Sequence, residues 1–239
     1  MNTIKNTIPP CPSIDGWESV IIDECNEKLI SLRKLSPNNI IVEPQYYLQG
    51  ISGALEDCYV RETVGQLLFE ATKKLPKGCR LVIWDAWRPI EVQQCLFDNY
   101  LKKVKAENPN LPQEKLIELS KIYVSLPSKD ETKPSPHNTG GAIDINIKSV
   151  DGKYLEMGTQ FDEFSLTART RYYEEKEEKG KSLTPHETIY RKNRRFLYHV
   201  FTEEGFSNYP EEWWHFDYGD QFWGKITQNH AIYNRITLD

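Results

Sequence analysis

Ser135-Pro-His-Asn-Thr-Gly-Gly-Ala-Ile-Asp-Ile-Asn-Ile147 is the stretch on which the reading of this chain turns. From Gly141 to Ile147 the isoleucines alternate with Ala142, Asp144 and Asn146. A period of two buries one face of a strand and turns the residues between toward the other, so Asp144 is expected to face a site while Ile143, Ile145 and Ile147 anchor the strand. Gly140 and Gly141 permit a tight turn just ahead of it, which folds His137 back toward Asp144 across the intervening residues.

An H-x6-D spacing by itself is weak, because most histidines are neither ligands nor bases. A second segment, Glu212-Trp-Trp-His215, adds an imidazole and a spare glutamate. Structural zinc sites are usually closed by four thiolate or imidazole ligands, whereas catalytic ones take three protein ligands and keep a position open. His137, Asp144 and His215 make an open set, one zinc per chain, with Glu212 left over as a general base. Trp213 and Trp214 serve as core aromatics and equally as a dry wall against which a glutamate's pKa rises. His186, His199 and His230 lie in a capping segment, a helix stripe and near the C-terminus, and are read as structural.

Upstream, Cys79-Arg-Leu-Val-Ile-Trp84 reads as a buried strand that delivers Asp85-Ala-Trp-Arg88-Pro89 at its end. Arg88 therefore sits where a guanidinium can meet an oxyanion, flanked by residues that fix it. Val64, Leu67, Leu68, Ala71 and Leu75 have the spacing of a one-faced helix closed by Pro76 and Gly78. Pro89 opens another, with a stripe at Ile90, Val92, Cys95, Leu96, Tyr100 and Leu101, and a third pattern runs from Gln113 to Tyr123. Thr184-Pro-His-Glu187 is a capping box that starts a helix through Phe196, Leu197, Val200 and Phe201 to Gly205. The first twenty or so residues read as an irregular arm leading to an early strand at Val20-Ile-Ile22. The charge-dense stretch from Arg169 to Lys181 reads as a solvated, mobile excursion.

At 239 residues the chain suits a single domain, 1–239, with one sizeable core. A formal charge of −5 disfavours a nucleic-acid partner, which would call for a clustered Lys/Arg excess. No stretch approaches the roughly 20 apolar residues of a membrane span, and the N-terminus lacks the apolar run of a signal peptide. A cytoplasmic protein is expected. The 5 cysteines are dispersed, without a C-x-x-C pair, and read as reduced thiols.

Taken in order, Trp84-Asp-Ala-Trp-Arg88-Pro89, the Ser135 to Asp144 segment, Met157-Gly-Thr-Gln-Phe-Asp162 and Glu212-Trp-Trp-His215 resemble the D-alanyl-D-alanine dipeptidases of the VanX type. These belong to a zinc superfamily that includes D-Ala-D-Ala carboxypeptidases, L-Ala-D-Glu endopeptidases and the Hedgehog signalling domain. The matches run from about Cys58 to Phe216. The resemblance implies an α+β fold, a small antiparallel sheet carrying the zinc with helices packed on one side. It implies zinc on His137, Asp144 and His215, Glu212 as base and acid, Arg88 on the tetrahedral intermediate, and Ser135 and Asp162 at the carboxylate and ammonium ends of the substrate. Where the family has a Tyr-Ala-Thr…Asn-Phe-Thr-Gly segment, this chain reads Gln45-Tyr-Tyr-Leu-Gln-Gly-Ile-Ser-Gly53, so Tyr46 and Tyr47 both stand for the substrate-contacting tyrosine.

The expected function is a zinc dipeptidase acting on D-Ala-D-Ala or a related short dipeptide. One rival is a peptidoglycan carboxypeptidase or endopeptidase with the same chemistry on a longer substrate. The other is a non-catalytic zinc-binding module, against which Glu212 and Arg88 argue, because a structural site needs neither a base nor an oxyanion donor.

Overall fold

The computed structural model describes residues 6–36, 38–121, 124, 127–128, 130–163 and 165–238. Its described elements are β1 (Leu29–Ser31), α1 (Leu32–Leu35), β2 (Ile40–Val42), α2 (Gln45–Leu48), β3 (Tyr59–Arg61), α3 (Glu62–Lys73), β4 (Arg80–Asp85), α4 (Ile90–Glu107), α5 (Gln113–Lys121), α6 (Pro136–Thr139), β5 (Ala142–Lys148), α7 (Tyr172–Glu178), α8 (Pro185–Thr202), β6 (Ser207–Asn208), β7 (His215–Asp217) and α9 (Gln221–Thr227). A five-stranded sheet in the order β2-β4-β5-β7-β6 forms the centre, and β1 and β3 make a separate two-stranded ribbon. The architecture is α+β, as expected, but the sheet is mixed: β2 runs parallel to β4, and the other pairs are antiparallel.

Register explains why one face of this sheet is a core and the other a site. Leu81 pairs with Ile147, Ile83 with Ile145, and Ile143 with Phe216. Paired residues share a face, so these apolar side chains form one surface. Helix α8 lies against it through Phe201, whose ring centroid is 5.0 Å from that of Phe216. Leu68 and Ala71 of α3 belong to the same buried cluster. On the opposite face, Asp144 pairs with His215.

A register shift between Ile83 and Asp85 then pairs Asp85, rather than Trp84, with Asp144. One extra residue moves every following side chain to the other face. The bulge thereby sends Asp85 to the site and sets the chain's exit toward Arg88.

Helix α8 starts as the capping box predicts: the Thr184 side chain accepts from the Glu187 amide, and Glu187 accepts from the Thr184 amide. It closes at Thr202, short of Gly205, whose positive φ of 94° belongs to the turn beyond. Thr184→Ala is expected to destabilise the protein by about 1 kcal/mol, read as a lower urea midpoint with an unchanged m-value; no shift of the midpoint would mean that tertiary packing alone holds this helix end.

Several expectations are corrected. The early strand at Val20-Ile-Ile22 is absent: Trp17–Ser19 forms a 3₁₀ turn, and Ile22 makes only an isolated parallel bridge to Ala231. Ile21 is exposed, so this apolar run has no sheet to bury it. The Arg169 to Lys181 stretch is folded rather than a solvated excursion, with α7 docked on α8. One of its charges faces inward, since Glu174 is buried and meets Arg195 at 2.5 Å, while Glu177, Glu178, Lys179 and Lys181 stay exposed. In α4 the buried residues are Val92, Gln93, Phe97 and Val104, while Leu96 and Tyr100 face a cleft. Of the helix expected through Tyr123, the last two positions lie outside the described residues. No helix among the described residues is long and apolar enough to cross a membrane.

Candidate metal centre and the cleft above it

His137 stands on α6, a single turn between Pro136 and the left-handed Gly140. Neither glycine of the turn tolerates a side chain. Gly140 has φ 76°, and a Cβ on Gly141 would lie 2.4 Å from the Tyr218 carbonyl oxygen. The turn brings His137 Nε2 to 3.5 Å from Asp144 Oδ2. Across the β5–β7 pairing, His215 Nδ1 is 3.2 Å from Asp144 Oδ1. One ligand atom from each of the three lies within 4.8 Å of the others, and all three residues are buried.

The remaining nitrogens fix which lone pairs face inward. His137 Nδ1 is 2.8 Å from the Ala86 carbonyl oxygen and 3.3 Å from Asp85 Oδ2, both acceptors, so its proton is held there and Nε2 is left bare. His215 Nε2 is 2.7 Å from Asp217 Oδ1, which keeps the proton on that side and frees Nδ1. Such outer acceptors orient metal-bound imidazoles and raise their basicity. Asp144 Oδ1 is buried without a hydrogen bond. An orphaned carboxylate oxygen between two oriented imidazole lone pairs fits a cation, and two nitrogens and one oxygen suit zinc. Asp217→Asn is expected to weaken zinc binding about 10- to 100-fold, measured by competition with a chromophoric chelator; unchanged affinity would show that Asp217 does not orient His215.

Electrostatics around the triad separate the neighbours into charged and neutral groups. Burial, joined by Arg88 and His215, pushes His137 well below its ordinary pKa and keeps it neutral, as a ligand must be. Burial also works against a charge on His215, but Asp217 and Asp144 outweigh it and hold the imidazole's pKa high. The same pair of carboxylates would favour a bound dication in the proton's place.

Glu212 Oε2 sits 3.7 Å from His215 Nδ1, one turn earlier in the chain. Burial raises its pKa to about 8, with His215 opposing and Asp144 and Asp162 adding to the rise. Arg88 is held by Asp85 Oδ2, which accepts from Nε at 2.8 Å and lies 2.6 Å from Nη2, and by Gln93, which accepts from Nη1 at 2.5 Å. Its Nη2 reaches to 3.7 Å from Asp144 Oδ2.

Of the two tyrosines left open, Tyr46 is the one that lines the cleft. It is buried, and its hydroxyl donates to Asp162 Oδ2 at 2.9 Å and accepts from Arg88 at 3.4 Å, whereas Tyr47 is exposed. Asp162 takes a left-handed φ of 55°, which aspartate adopts more readily than most residues, and it lines the cleft. Burial lifts its pKa to about 7, with Asp144 adding to the effect and Arg88 opposing it. Ser135 is buried and lines the same cleft.

The structure thus gathers all seven residues singled out in the sequence around one cavity of about 370 Å³. His186, His199 and His230 stay outside it: His230 pairs with Asp23 on the surface, and His199 faces the Asn6 carbonyl. Asp85 holds Arg88 as the sequence reading expected, whereas Asp217 and Gln93 were missed by sequence reasoning. Asp217 had a signal, because an acid two residues after His215 in one strand shares its face. The approach of Asp85 to His137 had none, since a bulge is invisible in the apolar run before it.

A family model described as D-ala-D-ala dipeptidase, among the M15 peptidases, matches residues 56–235. A D-alanyl-D-alanine dipeptidase of Synechocystis sp. is 30% identical over 164 residues, covering 65% of this chain and 66% of that protein. One from Enterococcus faecium is 28% identical over 152 residues, or 61% of this chain and 65% of that protein. The match therefore spans just under two thirds of the length of these two relatives. A crystal structure of the vancomycin resistance D,D-pentapeptidase VanY with Zn(II) covers 84% of this chain and 88% of that one at 17% identity, with a TM-score of 0.36, too loose a likeness to bear on the site.

Proposed function

Because the chain belongs to the D-Ala-D-Ala dipeptidase family of M15 peptidases, we propose that it is a zinc-dependent dipeptidase that hydrolyses D-Ala-D-Ala or a closely related short dipeptide. The observation that supports this best is the convergence of two oriented imidazole lone pairs on the buried, unsatisfied Asp144 carboxylate, beside Glu212 and Arg88. A cytoplasmic location is part of the same proposal.

In this reading His137, Asp144 and His215 hold the metal. Zinc, when bound, supplies a Lewis acid that lowers the pKa of water toward about 7. Glu212 takes the proton of the attacking water and returns it to the leaving amine, the double duty of a general base and acid. Its buried setting suits that work, since a carboxylate whose pKa is lifted toward neutrality both accepts and releases a proton near pH 7. Arg88 meets the oxygen that gains charge as the carbonyl becomes tetrahedral, and Asp85 and Gln93 hold its guanidinium in place beforehand.

A free dipeptide is a zwitterion, so its two ends need opposite partners. Asp162 receives the ammonium group and Ser135 the carboxylate. Asp162→Asn is expected to raise KM for the free dipeptide by about 10- to 100-fold and to erase discrimination between D-Ala-D-Ala and its N-acetyl derivative; preserved discrimination would remove Asp162 from this role.

The direct test combines elemental analysis of the purified protein with a ninhydrin assay of D-Ala-D-Ala, L-Ala-L-Ala and N-acetyl-D-Ala-D-Ala. About one equivalent of zinc with turnover of the free D,D-dipeptide is the expected result. Protein without metal, or zinc without turnover of any of the three, would overturn the proposal.

A further inference from the structure

Arg88 is tied to the metal-holding turn by its backbone as well as by its charge. Strand β4 ends at Asp85, and hydrogen bonds join the residues just beyond it to α6. The Ala86 carbonyl meets His137 Nδ1 at 2.8 Å, and the Arg88 amide donates to the His137 carbonyl at 3.0 Å. Asn138, 50 residues from Arg88 in sequence, donates from Nδ2 to the Arg88 carbonyl at 2.5 Å. Both main-chain polar groups of Arg88 are thus met by two consecutive residues of the turn, one of them a metal ligand.

Asp85 and Gln93 act differently. They lie three residues before Arg88 and five after it, so they set the guanidinium against its own stretch of chain. What sets the Arg88 backbone against His137 is the pair of cross-links to α6, and of these two only the one from Asn138 comes from a side chain.

Asn138 is buried, and its own backbone is held independently of its side chain. Its amide donates to the Ser135 carbonyl at 2.9 Å, and its carbonyl accepts from the Ile236 amide at 3.1 Å, so the turn keeps these ties when the side chain is cut back. Its Oδ1 is buried without a hydrogen bond. An unpaired buried acceptor costs at least as much as one hydrogen bond returns. Stability therefore gives no reason for a carboxamide at this position.

We infer that Asn138 is a positioning residue for the reaction: its side chain fixes the Arg88 backbone against the His137 turn and so holds the oxyanion donor in register with the metal ligands. The inference rests on the peptidase reading for the part played by the guanidinium, but the tether itself stands on the hydrogen bonds alone.

The kinetic test places Asn138→Ala in the native chain and in Arg88→Ala, with all proteins zinc-loaded. In the native chain kcat for D-Ala-D-Ala should fall about tenfold, short of the 10²-fold that a displacement of about 1 Å can cost, with KM held within about twofold. In Arg88→Ala the same substitution should cost less than about twofold, because a residue that acts through another is not additive with it. A residue serving the fold alone would cost the same factor in both.

Two further readouts need no substrate. By amide hydrogen exchange, the Arg88 amide should exchange about fivefold faster in Asn138→Ala, while the Ile145 amide, bonded to the Trp214 carbonyl, keeps its rate. Zinc affinity, from competition with a chelator, should change by less than the roughly 10-fold that marks the loss of an outer acceptor.

Unchanged protection of the Arg88 amide would overturn the inference, as would equal acceleration at Arg88 and Ile145, equal losses of kcat in the two backgrounds, or a fall in zinc affinity of about 10-fold or more. Asn138→Leu, closer to asparagine in size and equally unable to donate, must give the same pattern and replaces Asn138→Ala if that variant does not fold. Failure of both to fold would show a role in the fold and overturn the inference. Should the native enzyme cleave no peptide, the dipeptidase reading fails, and hydrogen exchange alone decides whether Asn138 holds Arg88 to the turn.

Discussion

Glu212→Gln should lower kcat for D-Ala-D-Ala by about 10³-fold, within the range general bases contribute, while the protein keeps its zinc. Gln matches Glu in size and cannot take a proton. The three ligand atoms come from His137, Asp144 and His215, so the substitution leaves the metal-holding set complete. The fold should not suffer either. Glu212 is held in place by the backbone, with its amide donating to the Tyr209 carbonyl and its own carbonyl accepting from the His215 amide. Burial already disfavours the carboxylate, so a neutral side chain relieves rather than adds a cost.

The pH profile of the native enzyme carries the same signature. The base works only when ionised, so kcat/KM rises with pH through its titration. The buried carboxyl with a pKa of about 8 sets the upper bound of that limb, and a bound dication pulls it lower. The limb should be missing from the residual activity of Glu212→Gln. Near-normal turnover by a variant with full zinc content would remove Glu212 from the mechanism.

What the sequence made legible was local. The alternation from Gly141 to Ile147 gave the strand and the inward aim of Asp144, because period-two patterning depends only on neighbours along the chain. The Thr184 to Glu187 box and the Val64 to Ala71 spacing were legible for the same reason: each rests on contacts within one turn. His137 and His215 could be paired with Asp144 by residue chemistry and a resemblance, before any strand order was known.

The rest depends on partners distant in sequence. Whether an apolar run such as Val20 to Ile22 becomes a strand depends on a neighbour with a free edge, and among the described residues Ala231 offers Ile22 only an isolated bridge. The Arg169 to Lys181 stretch looked like a solvated surface by composition, yet Glu174 and Tyr173 are buried against α8 once that helix presents Arg195 and Tyr190. Tyr46 and Tyr47 are indistinguishable in sequence, and one turn of helix decides between them. Asp85 reaches the site only because a bulge shifts its register, a backbone event without a side-chain signature.

That bulge makes Arg88 the other residue whose loss should be severe, and in two separable ways. Arg88→Ala is expected to reduce kcat by about 10²- to 10³-fold, the usual cost of losing one oxyanion donor. It also strands Asp85, which is buried and has Arg88 as its counter-charge, and breaking one side of a buried pair costs about 3–5 kcal/mol. A lower melting temperature therefore accompanies the loss of rate and could be mistaken for its cause. Arg88→Lys separates the two. Lysine restores a positive charge beside Asp85 and recovers much of the stability, but a single ammonium cannot bond Asp85 and Gln93 while also presenting a donor beside Asp144. The expected result is a near-native melting temperature with kcat still reduced about tenfold or more. Should Arg88→Lys regain stability and kcat together, a charge alone would suffice there. Should Arg88→Ala raise KM and leave kcat intact, Arg88 would serve ground-state binding, and the oxyanion role would pass to the metal.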